Sequence, residues 1–228
     1  MEAKLLLIRW LVNVLSWLVN VLSWLVSILY SSIPLFWFAI HPFAGRWRRM
    51  QHSPYLWLLP PWIVIIFVLA WITWPWHGKQ LYSSVWMHAP SVILFAVGLR
   101  IYRRVASEFG ARKLRGEAEL RPVEHEQRLV TTGLHARMRH PIYFAHLCNL
   151  AGCAVGSGLL VSFVLLAIST FITFPLMIWL EERELEKRFG QEFHDYKRTV
   201  PLIPRNFSFG APAAVSAKNE SGLLRERP

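Results

Sequence analysis

The 228-residue chain has little cysteine and few charged residues of any kind. Its two cysteines, Cys148 and Cys153, lie five positions apart in an apolar run. On a helix they would point about 140° apart, so their spacing indicates neither a disulfide nor a metal pair. No group of Cys and His residues has the spacing of a zinc site. The sequence therefore gives no support for a disulfide framework or a metal site.

Acidic residues are also scarce. The chain has 14 Asp and Glu against 25 Lys and Arg, for a formal net charge of +11. Such an excess can accompany nucleic-acid binding, but here the basic residues lie between and after apolar segments. The positive-inside rule of membrane proteins explains that placement more simply. We therefore predict a membrane protein without a nucleic-acid partner.

Hydrophobic residues are abundant, at 54% of the chain, and they include 12 Trp. They form five apolar segments, at residues 5–30 (extending towards residue 40), 56–74, 84–101, 142–155 and 160–180. Apolar runs of about 20 residues are typical of membrane spans. The first is too long for a signal peptide and lacks a small-x-small cleavage site, so it is expected to be retained. The pattern predicts an all-α polytopic membrane protein with about five transmembrane helices.

Basic residues flank these segments unevenly, which predicts an orientation. Clusters follow the first and third segments: Arg46, Arg48 and Arg49, then Arg100, Arg103 and Arg104. Only Lys79 lies between the second and third segments. The positive-inside rule then places the N-terminus outside and the C-terminus in the cytosol, although Lys4 and Arg9 argue the other way.

The first segment contains a short repeat, because residues 10–16 recur unchanged as residues 17–23. Its polar members are spaced by three and four and share one helix face: Asn13, Ser16, Asn20, Ser23 and Ser27. Such a stripe favours helix–helix contact in lipid, which would allow self-association through residues 13–27. The alternative, which we favour, is a recent duplication whose product the lipid tolerates.

The last two apolar segments form a hairpin with ionisable residues at its mouth. The run 139–143, Arg-His-Pro-Ile-Tyr, opens the hairpin, and Glu181 and Glu182 close it. The turn at residues 156–158 is so short that both clusters return to the same membrane face. Because polar groups are costly inside a bilayer, this arrangement predicts a shared site. Taken singly, the residues can also be a membrane anchor, a helix cap or a solvated helix face.

The two ends of the hairpin have complementary charge. Pro141 at a helix start leaves backbone N–H groups free beside Arg139 and His140, so this end can receive a carboxylate. Glu181 and Glu182 form an anionic corner opposite. A ligand with both a carboxylate and an ammonium or sulfonium group would suit such a pocket.

Residues 129–143 and 181–204 resemble the signature of the isoprenylcysteine carboxyl methyltransferase family and its phospholipid methyltransferase relatives. The resemblance covers residues 97–204. It leads us to divide the chain into N-terminal transmembrane helices at residues 1–96, a methyltransferase core with a cytosolic cofactor pocket at residues 97–204, and a disordered tail at residues 205–228.

The resemblance implies an integral membrane enzyme that uses S-adenosyl-L-methionine. It implies cofactor contacts at Gln127, Arg128, Leu129, Val130, His135, Arg139, His140, Pro141, Ile142, Tyr143 and Glu181, with His140 and Glu181 as catalytic candidates. His135 stands where the family usually has Tyr. The acceptor would be a lipid-like or prenylated molecule that offers a carboxylate or an amine. A non-enzymatic membrane carrier or assembly protein that retains the hairpin is the alternative.

One position departs from the isoprenylcysteine enzymes. Eukaryotic members place an Arg one helical turn before the residue that matches Glu181, where it suits the substrate carboxylate. This chain has Met177 there, and no Lys or Arg occurs between Arg139 and Arg183. The sequence therefore argues against a prenylcysteine carboxylate as the acceptor, and it does not decide whether a general base is used.

Overall fold

The computed structural model of the chain describes residues 2–47, 49–50, 53–109 and 129–204. Within these ranges every regular element is helical. The α-helices are α1 (Glu2–Phe38), α2 (Ala44–Trp47), α3 (Tyr55–Thr73), α4 (His88–Phe109), α5 (Pro141–Ser157), α6 (Leu160–Ile168), α7 (Phe174–Phe189) and α8 (Gln191–Thr199). Short 3₁₀ turns cover His41–Phe43, Trp74–Trp76, Val85–Met87 and Gly133–Ala136, and a π-helical segment, Ser169–Thr173, joins α6 to α7.

Four helical stretches are long and apolar enough to cross a membrane: Glu2–Trp47, Tyr55–Trp76, Val85–Glu108 and Leu160–Phe189. The predicted all-α membrane fold is confirmed. Helix α5 covers the predicted fourth segment, but its 17 residues make it shorter than these four. The count of five spans and the orientation of the termini stay predictions.

Helix α1 has two parts that differ in packing. From Asn20 onwards it contacts the rest of the chain: Asn20 Oδ1 accepts a hydrogen bond from Gln80 Nε2 at 3.3 Å. The Ser27 hydroxyl donates to the Ser162 hydroxyl at 2.9 Å. Residues 2–19 lie outside this packing and are exposed, except for a half-buried position at residue 14. The polar stripe of the repeat thus serves contacts within the chain at its C-terminal end, and self-association stays a prediction.

Helices α5 and α6 form the predicted hairpin, and its turn depends on Gly158. This residue has φ +67°, in the left-handed region, and a Cβ there would lie 2.2 Å from the backbone oxygen of Tyr82. Glycine is therefore required. The Leu81 N–H donates to the Gly158 carbonyl at 2.8 Å, so the connection between α3 and α4 closes over the turn.

The returning limb of the hairpin runs as one helical stretch from α6 through the π-helical segment into α7. Pro175 lies at the start of α7 and has no N–H for the helical hydrogen-bond ladder. The wider π-helical turn directly before it accommodates this loss. Helix α7 then carries Glu181 and Glu182 to the end of the bundle where α5 begins.

The N-terminal helices and the hairpin belong to the same bundle. Helix α1 packs against α5, α6 and α7, and α4 packs along α5. Ile101, Val105 and Ala145 are fully buried in the contact between α4 and α5. The predicted boundary between residues 96 and 97 falls inside α4. The domain division stays a prediction, and the tail at residues 205–228 lies outside the described residues.

Candidate functional site

The loop that leads into α5 is fixed to the end of α4. Gly133 has φ +60°, and a Cβ at this position would meet the Glu108 carboxylate at 2.0 Å. The absence of a side chain lets the Leu134 N–H donate to Glu108 Oε2 at 3.0 Å. Arg104 Nε donates to the other oxygen of the same carboxylate at 3.0 Å. Glu108 therefore positions the loop that carries Arg139 and His140.

His140 lies between the two carboxylates of α7. As the residue before α5, with Pro141 at the first helical position, it lies at the start of the hairpin. Its Nδ1 atom is 3.3 Å from Glu181 Oε2, and its Nε2 atom is 3.2 Å from Glu182 Oε1. Adjacent residues on a helix point about 100° apart, so a ring between them can contact both.

The side chain of Tyr143 fixes this ring. The Tyr143 ring stacks on His140 with centroids 5.4 Å apart and an interplanar angle of 8°. The Tyr143 hydroxyl also interacts electrostatically with the Glu181 carboxylate. Tyr143 lies one helical turn after His140, so α5 itself sets this stacking. Three features therefore fix the position of the imidazole: His140 directly precedes α5, its ring stacks on Tyr143, and both carboxylates contact it.

The charges of the site determine the protonation of His140. Burial lowers the pKa of this imidazole, but the Glu181 and Glu182 carboxylates outweigh burial and raise the pKa to about 9. His140 therefore carries a proton at neutral pH in this structure. The positive ring lies between the two carboxylates and balances part of their charge.

Arg139 ties the start of α5 to the C-terminal part of the chain. Its Nε donates to Glu182 Oε1 at 2.8 Å, and Nη1 donates to the carbonyls of Lys197 and Val200 at 3.2 and 2.8 Å. Its backbone N–H donates to the Pro201 carbonyl at 3.1 Å. Most of its hydrogen-bonding capacity is thus used within the protein, which gives Arg139 a positioning role.

An apolar groove of about 310 Å³ leads from this cluster along the faces of α5 and α7. Arg139, His140 and Glu182 lie at its polar end. Its walls are mostly apolar: Tyr143, Phe144, Leu147, Phe174, Pro175, Ile178, Trp179, Leu202 and Ile203, with Thr170 as a further polar member. The geometry suits a long apolar molecule whose reactive end meets the ionisable cluster.

The structure brings four of the predicted site residues together: Arg139, His140, Tyr143 and Glu181. The other predicted residues that the structure describes have different neighbours. Pro141 begins α5, Ile142 packs with two core clusters, Leu129 packs against the Phe193 cluster, and the His135 carbonyl accepts from the Tyr196 hydroxyl. Val130 is half-buried in the same loop, and Gln127 and Arg128 lie outside the described residues. Roles in cofactor binding stay predictions for all of them.

Three further residues contribute to this arrangement: Glu182, which the sequence placed in the anionic corner without a role in cofactor binding, and Lys197 and Glu108, which are absent from the predicted site. Glu182 is only 7% exposed and contacts Arg139, His140 and Lys197, whose Nζ lies 2.9 Å from Glu182 Oε2. Glu108 holds the preceding loop. The adjacent Glu181-Glu182 pair was the only signal in the sequence for Glu182, while Lys197 and Glu108 are brought in by tertiary packing.

Met177 does not line the groove. It is fully buried and packs in one cluster with Tyr143 and Phe174, behind the groove wall. Its neighbour Ile178 is among the residues that line the groove. The position at which isoprenylcysteine enzymes have Arg is therefore part of the core in this protein.

Comparison with known proteins identifies the part of the chain that carries the site. Residues 86–192, from the 3₁₀ turn before α4 to the start of α8, match the phospholipid methyltransferase family. The nickel-cobalt-cadmium resistance protein NccN of Alcaligenes xylosoxydans xylosoxydans is 32% identical over 78 residues, which cover 34% of this chain and 36% of that protein. The chain thus matches about a third of the length of this curated relative. No solved structure matches the chain.

The resemblance read from the sequence is confirmed, because the matched family is related to the isoprenylcysteine carboxyl methyltransferases. The match includes both ends of the hairpin, and so His140, Tyr143 and the two carboxylates of α7. It supports a membrane methyltransferase.

Proposed function

We propose, from the phospholipid methyltransferase domain at residues 86–192, that this protein is an S-adenosyl-L-methionine-dependent membrane enzyme that methylates a lipid-like acceptor. The observation that carries the proposal is the His140 ring held between Glu181 and Glu182 at the polar end of an apolar groove. Both a cationic ligand and an apolar acceptor would find complementary surfaces there.

The residues present fit the cofactor. S-adenosyl-L-methionine has a sulfonium, an ammonium and a carboxylate, and when bound it supplies an electrophilic methyl group. Glu181 is the better candidate to receive the cationic groups. Among the described residues it forms an ion pair only with His140, whereas Glu182 also pairs with Arg139 and Lys197. The backbone N–H groups in the first turn of α5 can receive the carboxylate.

Most of the catalysis expected of this chain is positioning and exclusion of water. The groove would hold the acceptor so that its nucleophilic atom lies in line with the methyl group. Holding both reactants in this orientation lowers the entropic cost of the reaction. The apolar walls keep bulk water away from the reacting atoms. Arg139 and Tyr143 act on the reaction through the ring and the carboxylates that they position.

The acceptor decides whether a base is needed. A carboxylate acceptor has its lone pair available and transfers no proton, whereas an amine acceptor must lose one. His140 is protonated at neutral pH in this structure, so it becomes a base only after another cation engages the carboxylates. For an amine acceptor, we therefore assign the proton first to Glu181 or Glu182.

We also infer an orientation in which the site faces the cytosol. The C-terminal segment after α8 lies at the same end of the bundle as Arg139, while Gly78 and Gly158 lie at the opposite end. The basic residues that follow α1, and those in the C-terminal half of α4, favour placing the site end in the cytosol. The N-terminus of α1 would then lie outside.

A second candidate function is a non-enzymatic membrane protein built on the same hairpin. The similarity to a protein named for metal resistance, rather than for methyl transfer, favours keeping this alternative. It predicts that the protein has no need of S-adenosyl-L-methionine.

The test is binding of radiolabelled S-adenosyl-L-methionine to the detergent-purified full chain, followed by incubation with labelled cofactor and a total lipid extract. We expect saturable binding and a labelled lipid product. Glu192→Gln serves as a control variant, because this carboxylate is exposed on α8 and makes no contact with the site. Absence of binding by a folded protein would favour the non-enzymatic alternative.

A further inference from the structure

A second cavity, of about 380 Å³, lies on the face of α7 opposite the apolar groove. One wall is the chain that follows α1, with His41 and Gly45. The other wall is the charged part of α7, with Arg183, Glu184, Lys187 and Arg188. We call this space the basic cavity. His41 also interacts electrostatically with Glu181, whereas the four α7 residues of this wall do not line the apolar groove.

The charge inside the basic cavity is positive. Among the described residues that line it, Glu184 is the only carboxylate. It pairs with Arg188, whose Nη1 lies 3.4 Å from Glu184 Oε1. Arg183 and Lys187 are four residues apart and therefore share one face of α7. Across the described part of the chain, neither of them forms an ion pair with a carboxylate. The lining thus keeps two positive charges beyond its internal pair.

Arg183 is oriented by an aromatic ring. Its guanidinium carbon lies 4.4 Å from the centroid of the Trp179 ring, one helical turn earlier. Stacking of this kind uses the face of the guanidinium and leaves the N–H groups at its edge able to donate. Because stacking already restricts the Arg183 side chain, binding an oxyanion would cost it little further conformational entropy.

The cavity lies where the apolar part of the last membrane helix ends. Trp179 and Leu180 complete the apolar stretch of α7, and the two unpaired cations follow within the next two turns. Aromatic residues followed by cations are typical of the boundary between hydrocarbon and headgroups. In a lipid beside α7, the phosphate group would lie at the same depth in the membrane as Arg183 and Lys187.

We propose that the basic cavity binds a phosphate-bearing anion, namely the headgroup of an anionic phospholipid. Basic pockets between membrane helices recognise such headgroups by hydrogen bonds that are strengthened by charge. Free phosphate compounds offer the same chemistry and are distinguished by experiment. The proposal does not depend on methyl transfer, since it involves the opposite face of α7.

Gly45 offers a way to probe the cavity without changing its cations. A Cβ built at Gly45 meets no atom within 4 Å, so a side chain there points into open space. Gly45→Asp would place a negative charge at the cavity wall, and Gly45→Asn would place a neutral side chain of the same shape. A difference between these two variants reports charge rather than space.

The experiment measures thermal stabilisation of the detergent-purified full chain during titration with three probes. These are dioctanoyl phosphatidylglycerol, dioctanoyl phosphatidylcholine and glycerol 3-phosphate. The test variant is Arg183→Gln with Lys187→Gln. Its control is Arg103→Gln with Arg198→Gln, which removes two exposed cations elsewhere on the chain.

We expect phosphatidylglycerol to bind more tightly than phosphatidylcholine. The test variant should weaken this binding about tenfold or more, which corresponds to one charge-assisted contact, while the control variant keeps it. Gly45→Asp should weaken it and Gly45→Asn should not. Equal binding of glycerol 3-phosphate, with the same dependence on Arg183 and Lys187, would support the phosphate site and assign it to a soluble ligand.

Three outcomes would overturn the proposal. The first is an absence of stabilisation by both phosphate-bearing anions. The second is an equal loss in the test and control variants, which would indicate general surface charge. The third is identical behaviour of Gly45→Asp and Gly45→Asn, and this comparison remains informative if the test variant does not fold.

Discussion

The Nδ1 atom of His140 lies 3.3 Å from Oε2 of Glu181, at the point where the two limbs of the hairpin meet. The imidazole belongs to the start of α5 and the carboxylate to the middle of α7, 41 positions later in the sequence. This one contact connects the two motifs on which the resemblance rests. It also provides the most direct test of the proposed function.

Glu181→Gln should abolish tight cofactor binding while the protein still inserts and folds. The amide keeps the shape of the side chain but leaves the cationic groups of the ligand without a partner, which costs about 2–4 kcal/mol. Equilibrium binding of labelled S-adenosyl-L-methionine measures this loss, with Glu192→Gln as the control. Unchanged affinity in Glu181→Gln, together with weakened affinity in Glu182→Gln, would assign the cofactor to the other carboxylate.

Glu182→Gln should affect folding more than Glu181→Gln. Glu182 is 7% exposed and pairs with Arg139, His140 and Lys197, so the amide leaves several buried or half-buried cations without their anion. Breaking a buried ion pair from one side typically costs about 3–5 kcal/mol. Thermal unfolding in detergent without ligand should show the lower midpoint for Glu182→Gln. A larger effect of Glu181→Gln would contradict the positioning role of Glu182.

Stability should fall as the pH rises towards 9. The pKa of His140 is about 9 in the folded protein, against an ordinary value of 6.5. A raised pKa contributes stability that is fully present below about pH 6.5 and is lost as the pH rises through about 9. The contribution is roughly 3 kcal/mol, because each pKa unit corresponds to about 1.4 kcal/mol.

The measurement is the unfolding free energy of the ligand-free protein between pH 6 and pH 10, compared with His140→Gln. The variant should lack most of the decline in this interval. Because Glu181 and Glu182 carry the opposing charges, Glu181→Gln should show a reduced decline as well. Profiles of the same steepness in the parent and in His140→Gln would show that other groups cause the change.

Much of this site could be predicted from the sequence, because the hairpin imposes it. The short turn at Gly158 makes the two limbs of the hairpin antiparallel. The start of α5 and the middle of α7 therefore lie at the same end of the bundle, which brings Arg139 and His140 near Glu181. The detailed roles of the two adjacent carboxylates could not be predicted. They point about 100° apart, and only the packing of α7 decides which partners each one meets.

Other features depend on contacts between distant segments. Lys197 reaches Glu182 only because α8 folds back onto the loop before α5, where the Tyr196 hydroxyl donates to the His135 carbonyl. The π-helical segment before α7 changes the number of residues per turn within the stretch. If about 3.6 residues per turn are assumed from α6 onwards, the faces of α7 are assigned incorrectly. The sequence therefore does not show whether Met177 or Ile178 faces the groove.

Topology provides a separate test of the proposed orientation. A reporter fused after Pro204 should be cytosolic, and one inserted at Gly78 should be external. Gly78 is a suitable insertion point, since a Cβ there meets no atom within 4 Å. Because α5 and α6 form a tight hairpin, the site end and the Gly78 end are on opposite sides of the bundle. A cytosolic signal from Gly78 would contradict both the orientation and the cytosolic site.

The last prediction concerns the acceptor. The groove walls are apolar, and Arg139 at its polar end is already bound by Glu182 and by two backbone carbonyls. Bringing a carboxylate into such walls without a cation costs several kcal/mol. We therefore expect weak activity on a prenylated cysteine acid and higher activity on a neutral or headgroup-borne acceptor.

Substitutions at Ile178 test this explanation, because Ile178 lines the groove whereas Met177 is buried behind it. Ile178→Arg places a cation on the wall, and Ile178→Gln places a long polar side chain without charge. The ratio of kcat/KM for a farnesylcysteine acid to that for a neutral lipid acceptor should rise about tenfold in Ile178→Arg relative to Ile178→Gln, the gain expected from one charge-assisted contact. Met177→Arg should instead lower stability, because it buries a charge within the Tyr143 and Phe174 cluster. Efficient methylation of the acid by the unmodified protein would show that Arg139 can release its present partners and receive the carboxylate.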